Sequence, residues 1–277
     1  MRIQAHQVAV ITGAASGIGL GLAHAFAERG LDVVMIDIEA QALDAAAESV
    51  TSHGGRVLAS MVDVRELAAM EAVAERALDA FGRLDIVCNN AGVNTSPGPI
   101  WELDESDWRW ILDVNLWGVI NGVRAFVPYL VARGSGHVVN TASMAALHPV
   151  AGLAPYAVSK HAVVALTECL RADLDRSAPK VGATVLCPLW VWSRVRDAER
   201  NRPAELRGGA VQTRPPRPAQ SPAEGVFQTP EEVAAAVIGA IESNQLYLLT
   251  HDSGREDARA QQLRMLAVID DVVEEAR

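Results

Sequence analysis

Tyr156 and Lys160 stand four positions apart at the start of an apolar stretch, Tyr156 to Ser177, whose hydrophobic residues recur at helical spacing. On a helix both side chains project from one face a turn apart, so the ammonium of one can favour the phenolate of the other. That pairing suits proton transfer at an oxygen, for which a phenol with an unperturbed pKa of about 10 needs help. Ser143, thirteen residues earlier and just beyond an apolar strand, offers a hydroxyl that could steady the same oxygen and the charge developing on it. Asn115 falls inside a long helical stretch, an unfavourable place for asparagine by propensity. Each has an ordinary reading too: half-buried helix residue, solvated charge, cap, buried hydrogen-bonder. Their joint occurrence points to a catalytic centre.

A second constellation lies near the N-terminus. The run Thr12-Gly13-Ala14-Ala15-Ser16-Gly17-Ile18-Gly19 follows an apolar strand and opens a helix, where free N–H groups and the positive helix end can hold a pyrophosphate. Alone it could equally be a tight strand-to-helix turn. Eighteen positions after Gly19 the second strand ends at Asp37, followed by Ile38. A carboxylate there can accept from adenosine ribose hydroxyls and repel a 2′-phosphate, which favours NAD over NADP. The alternative for Asp37 is a solvated strand end or a helix cap, and Arg2 and Arg56 are the cations that could complicate the choice.

The elements that must position these residues alternate along the chain. Val8–Thr12, Asp32–Asp37, residues 56–61, Ile86–Asn89, residues 137–141, Val181–Cys187 and residues 245–250 read as strands, several without a polar face, as in a parallel sheet covered on both sides. Residues 18–29, 40–51, 66–81, 106–132 and 156–177 read as helices, with Gly30, Gly82 and Gly134 at their stops. The pattern is α/β, a Rossmann-like doubly wound parallel sheet, with residues 1–277 as a single domain. After the sixth strand the rhythm breaks over residues 193–228, which include Arg214-Pro215-Pro216-Arg217-Pro218; so long a connection suits a substrate lid. Order resumes at Thr229 as N-cap, with Pro230 at the first helical position. A closing helix from about residue 255 to 276 places Leu263, Leu266, Ile269 and Val273 on one side.

These motifs together, with Asn89-Asn90-Ala91-Gly92 after the fourth strand, resemble the short-chain dehydrogenase/reductase family in its compact single-domain form. The likeness is close from Val8 to Ser193. It implies an oxidoreductase moving a hydride between NAD(H) and a secondary alcohol or ketone, with Tyr156 as general acid/base. Lys160 would hold the nicotinamide ribose, and Asn115 a water relaying protons to solvent. It also implies Asp63 and Val64 beside the adenine, the run Asn89 to Gly92, with Asn89, Ala91 and Gly92, as the wall beside the adenosine ribose, and the run Pro188 to Ser193, with Pro188, Val191 and Ser193, as the nicotinamide cradle. The chain departs from the family at Pro188-Leu189-Trp190-Val191-Trp192-Ser193, where Leu189 replaces a common glycine and restricts the backbone. Trp190 and Trp192 divide between pocket wall and core packing. Met144, Ala145, His148 and Val150 are further pocket candidates, with His148 open to a plain loop role. An apolar and aromatic wall suits a bulky substrate. The weighed alternatives are an NADPH-dependent ketoreductase, disfavoured by Asp37 and Ser16, and a non-catalytic dinucleotide-binding protein.

Composition narrows the classes. A formal charge of -10 without a basic stripe argues against nucleic acid. Cys88, Cys169 and Cys187 are scattered without metal-ligand spacing, so no metal site is expected and a reducing cytoplasm fits. Residues 1–7 run into the first strand without a leader pattern, and no stretch is expected to span a membrane. The resemblance further implies a homodimer or homotetramer.

Overall fold

The computed structural model describes residues 1–95, 97–207, 227–252 and 254–275. Seven parallel strands form one sheet in the order β3-β2-β1-β4-β5-β6-β7: β1 Val8–Thr12, β2 Asp32–Asp37, β3 Val57–Met61, β4 Ile86–Asn89, β5 Gly136–Thr141, β6 Val181–Cys187 and β7 Tyr247–Leu249. The chain winds outward from β1 in both directions, so β1 and β4, paired at Val10 and Val87, flank the point where strand order reverses. Ligands of open α/β sheets bind beyond the carboxyl ends at such a point.

Strand alternation divides the core. Ala9, Ile11, Val33 and Met35 face α1 (Gly17–Ala27), α2 (Ala40–Thr51) and α7 (Pro230–Ser243). Val8, Val10, Val34 and Ile36 face α3 (Leu67–Phe81), α5 (Gly118–Arg133) and α6 (Ala154–Ser177). Both faces are dry, which is why these strands lack polar alternation. Residue 56 falls outside β3 and β7 is shorter than expected at both ends. Gly82 and Gly134 cap α3 and α5 in the left-handed region. Thr229 starts α7 with a capping box: its hydroxyl accepts from the Glu232 N–H at 3.2 Å and the Glu232 carboxylate accepts from the Thr229 N–H at 2.8 Å.

The long fourth helix is not one helix. It comprises α4 (Glu105–Leu112), a π turn at Asp113–Trp117 and α5. The stretch Glu105–Arg133 is also, by length and composition, long and apolar enough to cross a membrane, contrary to the expectation of no such stretch; half of its apolar 18-residue window is buried within this fold. In the expected lid, residues 208–226, with the Arg214–Pro218 run, lie outside the described residues. Its two ends meet in a parallel bridge between Val191 and Gln228, with the Gln228 N–H on the Trp190 carbonyl at 2.9 Å. In α8 (Arg255–Glu275), Leu263 and Leu266 are about half exposed, and the side chains of Ile269 and Val273 lie outside the described residues.

Candidate active site

The carboxyl ends of β1, β2, β4, β5 and β6 open into one cavity of about 1110 Å³, larger than the ~300–1,000 Å³ that holds a drug-sized ligand. One half is lined by the glycine turn and the ends of β2 and β3, the other by the segments after β5 and β6. Tyr156, Ser143 and Lys160 sit where the halves meet.

In the first half, Gly13, Ser16, Ile18, Asp37, Ile38, Asp63 and Val64 line the wall, followed by Ala91 and Gly92. Gly17 and Gly19 stand behind it, where close packing demands them. Gly13 has φ 66°, and a Cβ there would meet Ala91 Cα at 2.9 Å; one on Gly17, at φ 54°, would meet Ser193 Cβ at 2.8 Å. Asp37 does more than face the cavity. One oxygen accepts from the Ala15 N–H at 2.9 Å and the other from the Glu39 N–H at 3.1 Å, tying the glycine turn to the end of β2. A carboxylate has about four acceptor sites, so capacity for ribose hydroxyls is left over. Neither Arg2 nor Arg56 lines the cavity; Arg56 pairs with Asp32 at 2.6 Å. Arg65 holds Asp63 at 2.8 Å.

Asn89 is a correction. It points away from the cavity, 1% exposed, and donates to Asn140 Oδ1 at 2.9 Å. Successive strand residues face opposite ways, so Asn90 takes the wall instead, its Nδ2 donating to the Thr12 carbonyl at 3.1 Å and its N–H to Thr12 Oγ1 at 2.9 Å.

Tyr156 and Lys160 project from the first turns of α6, and Lys160 Nζ lies 5.7 Å from the centre of the Tyr156 ring. Lys160 is 3% exposed and donates to the Thr141 carbonyl at 2.8 Å. Burial lowers its pKa to about 8. Burial also raises the Tyr156 pKa, against which a hydrogen bond from Ser143 works to lower it. The simple expectation that the ammonium dominates is therefore corrected: in this dry pocket the loss of water disfavours both charges. Ser143 caps the turn Met144–Ala146, accepting from the Ala145 N–H at 3.2 Å, and its hydroxyl lies 3.4 Å from the Pro188 carbonyl. Asn115 sits in the π turn, fully buried. Its Oδ1 accepts from the Val93 N–H at 2.8 Å and its Nδ2 donates to the Val93 carbonyl at 3.0 Å and to Ser159 Oγ at 3.2 Å. It thereby fixes the chain beside Gly92, where an added Cβ would lie 3.4 Å from both Asn115 Oδ1 and Lys160 Nζ.

In the second half, Met144, Ala145, His148 and Val150 line the wall, with Pro188, Val191 and Ser193. Trp190 and Trp192 also line it and gather around Phe227: Trp192 stacks on that ring with centres 4.4 Å apart, and Trp190 tilts against it at 6.2 Å. Leu189 avoids the left-handed region, lines the cavity and packs against the cluster that holds Val185 and Cys187. Beyond Ser193 the chain forms a strap along the cavity wall. Glu39 accepts from Arg200 Nε at 3.2 Å and from its Nη2, from Arg194 Nη1 at 3.3 Å and from Asn201 Nδ2 at 3.0 Å. Farther along, Arg202 is buried against the buried Asp107 of α4 at 2.6 Å, with its guanidinium 5.1 Å from the Trp110 ring centre.

A family model described as short chain dehydrogenase matches residues 7–203. The chain belongs to the short-chain dehydrogenase/reductase family. A 1-deoxy-11-beta-hydroxypentalenate dehydrogenase of Streptomyces exfoliatus is 38% identical over 257 residues, covering 92% of this chain and 86% of that one. A C alpha-dehydrogenase of Sphingobium sp. is 33% identical over 253 residues, covering 90% and 82%. The crystal structure of a short-chain dehydrogenase/reductase from Burkholderia phymatum in complex with NAD superposes with a TM-score of 0.88 at 36% identity, covering 94% of this chain and 93% of that one.

Two features of this family member escaped the sequence reading. Phe227 carried only one faint signal, an aromatic residue two positions before a helix cap. The Glu39 clamp joins positions 161 apart, and nothing local announces it.

Proposed function

We propose that the protein oxidises bulky, largely apolar or aromatic secondary alcohols to ketones, or reduces the ketones, with NAD(H) as the hydride partner. One observation carries the reading: a single cavity joins the Gly13–Asp37 dinucleotide wall to the Trp190, Trp192 and Phe227 wall, with Ser143, Tyr156 and Lys160 at the junction. The glycine cradle, which Cβ atoms would fill, and the free acceptor sites of Asp37 fit a dinucleotide without a 2′-phosphate. When bound, the nicotinamide accepts or returns the hydride. The chain's residues handle the proton. Ser143 steadies the substrate oxygen, Tyr156 takes its proton on oxidation and gives it back on reduction, and Lys160 holds positive charge nearby. Asn115, through its grip on Val93, keeps the floor beneath Lys160 in register.

The relatives support the class. The Streptomyces enzyme is named for a hydroxylated pentalenate, and the Burkholderia structure carries NAD. The reading extends to a cytoplasmic homodimer or homotetramer associating through α5 and α6, on which Val131 and Val158 are exposed. Residues 193–228 serve it as a substrate lid.

The test is turnover of a panel of secondary alcohols with NAD and NADP, alongside Tyr156→Phe. Wild type oxidises members of the panel with NAD, while the variant still quenches NADH fluorescence on binding and turns over at least a hundredfold more slowly. Substantial activity in the variant sinks the role of Tyr156, and a preference for NADP sinks that of Asp37.

A further inference from the structure

His148 stands in the apolar half of the cavity with a polar ring that the protein leaves unanswered. Its Nδ1 is buried with no hydrogen-bond partner. Buried polar atoms without partners are rare in native proteins and call for a reason. With Nδ1 sealed away from any protein partner, Nε2 is the ring nitrogen left to meet a bound molecule in the cavity that His148 lines.

Its placement is rigid. The turn capped by Ser143 continues without a break to His148: the Leu147 and His148 N–H groups both donate to the Met144 carbonyl, at 2.9 and 3.0 Å. Five residues at a rise of about 1.5–2.0 Å separate the two Cα atoms by roughly 8–10 Å. The hydroxyl that steadies the reacting oxygen and the imidazole are thus two ends of one short rod. The same cavity presents the apolar Met144, Val150, Trp190, Trp192 and Phe227 and, among its polar side chains, Asn94 and Asp257.

We propose that His148 is a specificity-determining residue whose Nε2–H donates to a second oxygen of the substrate. The substrate class is a secondary alcohol on a rigid apolar or aromatic frame that carries an acceptor oxygen, such as a carbonyl or ether, remote from the reacting carbon. An alcohol with a hydrocarbon frame fills the same space and leaves the N–H unpaired. Discrimination comes from that unpaired group, which a bound apolar frame shuts away from water. The inference rests on the hydride-transfer reading above.

The experiment compares 1-(4-acetylphenyl)ethanol with 1-(4-ethylphenyl)ethanol, nearly equal in shape and differing in one acceptor oxygen, as substrates of the full chain with NAD. Wild type should favour the acetyl compound about tenfold in kcat/KM, chiefly through KM. His148→Phe should bring the ratio to within about twofold, and His148→Gln, which keeps a donor, should restore part of it. Circular dichroism and NADH binding establish that the variants are folded. The inference is overturned if wild type shows no preference, if His148→Phe keeps it, or if panel alcohols turn over while neither member of the pair does. Failure of every secondary alcohol overturns the hydride-transfer reading itself, and the anchor with it.

Discussion

Replacing Glu39 by Gln should speed the release of NADH. The Glu39 carboxylate is the point on α2 to which the strap after β6 is fastened, by Arg194, Arg200 and Asn201. The strap lines the cavity beside the dinucleotide wall, so NADH release is expected to wait until these contacts part. Glu39 and Arg200 side chains are 21% and 27% exposed, which places the clamp between a surface ion pair, worth about 0.2–1 kcal/mol, and a charged hydrogen bond shielded from water, worth about 1.5–3 kcal/mol. Gln keeps the shape and one acceptor but removes the charge. A loss of about 1–2 kcal/mol then corresponds to release faster by roughly 5–30-fold. The assay is stopped-flow NADH fluorescence with excess NAD as chase. Added salt should accelerate wild type toward the variant and change the variant little. Hydrogen bonding from Arg200 holds the Glu39 pKa below the usual carboxylate value. A depressed carboxylate pKa means the clamp persists above it and is lost as pH falls through it, so acid should mimic the substitution. Equal release rates for the two proteins at low salt would refute the strap as a barrier.

Three further outcomes follow from the same geometry. Arg202→Met leaves Asp107 buried without its cation and should cost about 3–5 kcal/mol in urea unfolding, while the double change with Asp107→Leu recovers most of it; a loss below 1 kcal/mol would show that water reaches Asp107 freely. Lys160, with a native pKa of about 8 against 10.5 for the free side chain, binds its proton less tightly when folded. The unfolded chain thus carries more protons between those values, this residue's contribution to stability rises with pH across that window, and Lys160→Met should flatten the rise measured by urea midpoints. Asp37→Ser should bring NADPH turnover closer to NADH turnover and also lower the melting temperature, because the Ala15 N–H loses its acceptor; a switch in cofactor with unchanged melting would separate the two roles assigned to that carboxylate.

The frame was legible because its causes are local. Strands dry on both faces, helices with apolar stripes and stops at Gly82 and Gly134 follow from residue type and period alone, and they locate Ser143, Tyr156 and Lys160 within a residue or two. The choice between Asn89 and Asn90 was not legible, since it depends on which face of β4 meets the cavity, a fact about neighbouring strands. The π turn around Asn115 leaves no mark in composition; an asparagine out of place in a helix was its one trace. Tyr156 and Lys160 were found by spacing, but the pKa directions come from burial, which spacing does not contain. The clamp on Glu39 joins residues far apart in sequence, and the burial of His148 Nδ1 is a fact of packing that its neighbours in the chain do not announce.

The bridge between Val191 and Gln228 brings the two ends of the intervening chain together at one spot on the sheet's edge. A segment whose entry and exit coincide can be lengthened, shortened or rewritten at a cost that grows only with the logarithm of its length, about 0.6 kcal/mol for each doubling. The first part of this segment is not free to vary in that way: Ser193 lies close against Gly17, Arg194, Arg200 and Asn201 hold Glu39, and Arg202 is buried on Asp107. The fold thus ties the start of this connection to the glycine turn and to the residue that follows β2 by two positions, so a change made there is also felt on that side of the cavity.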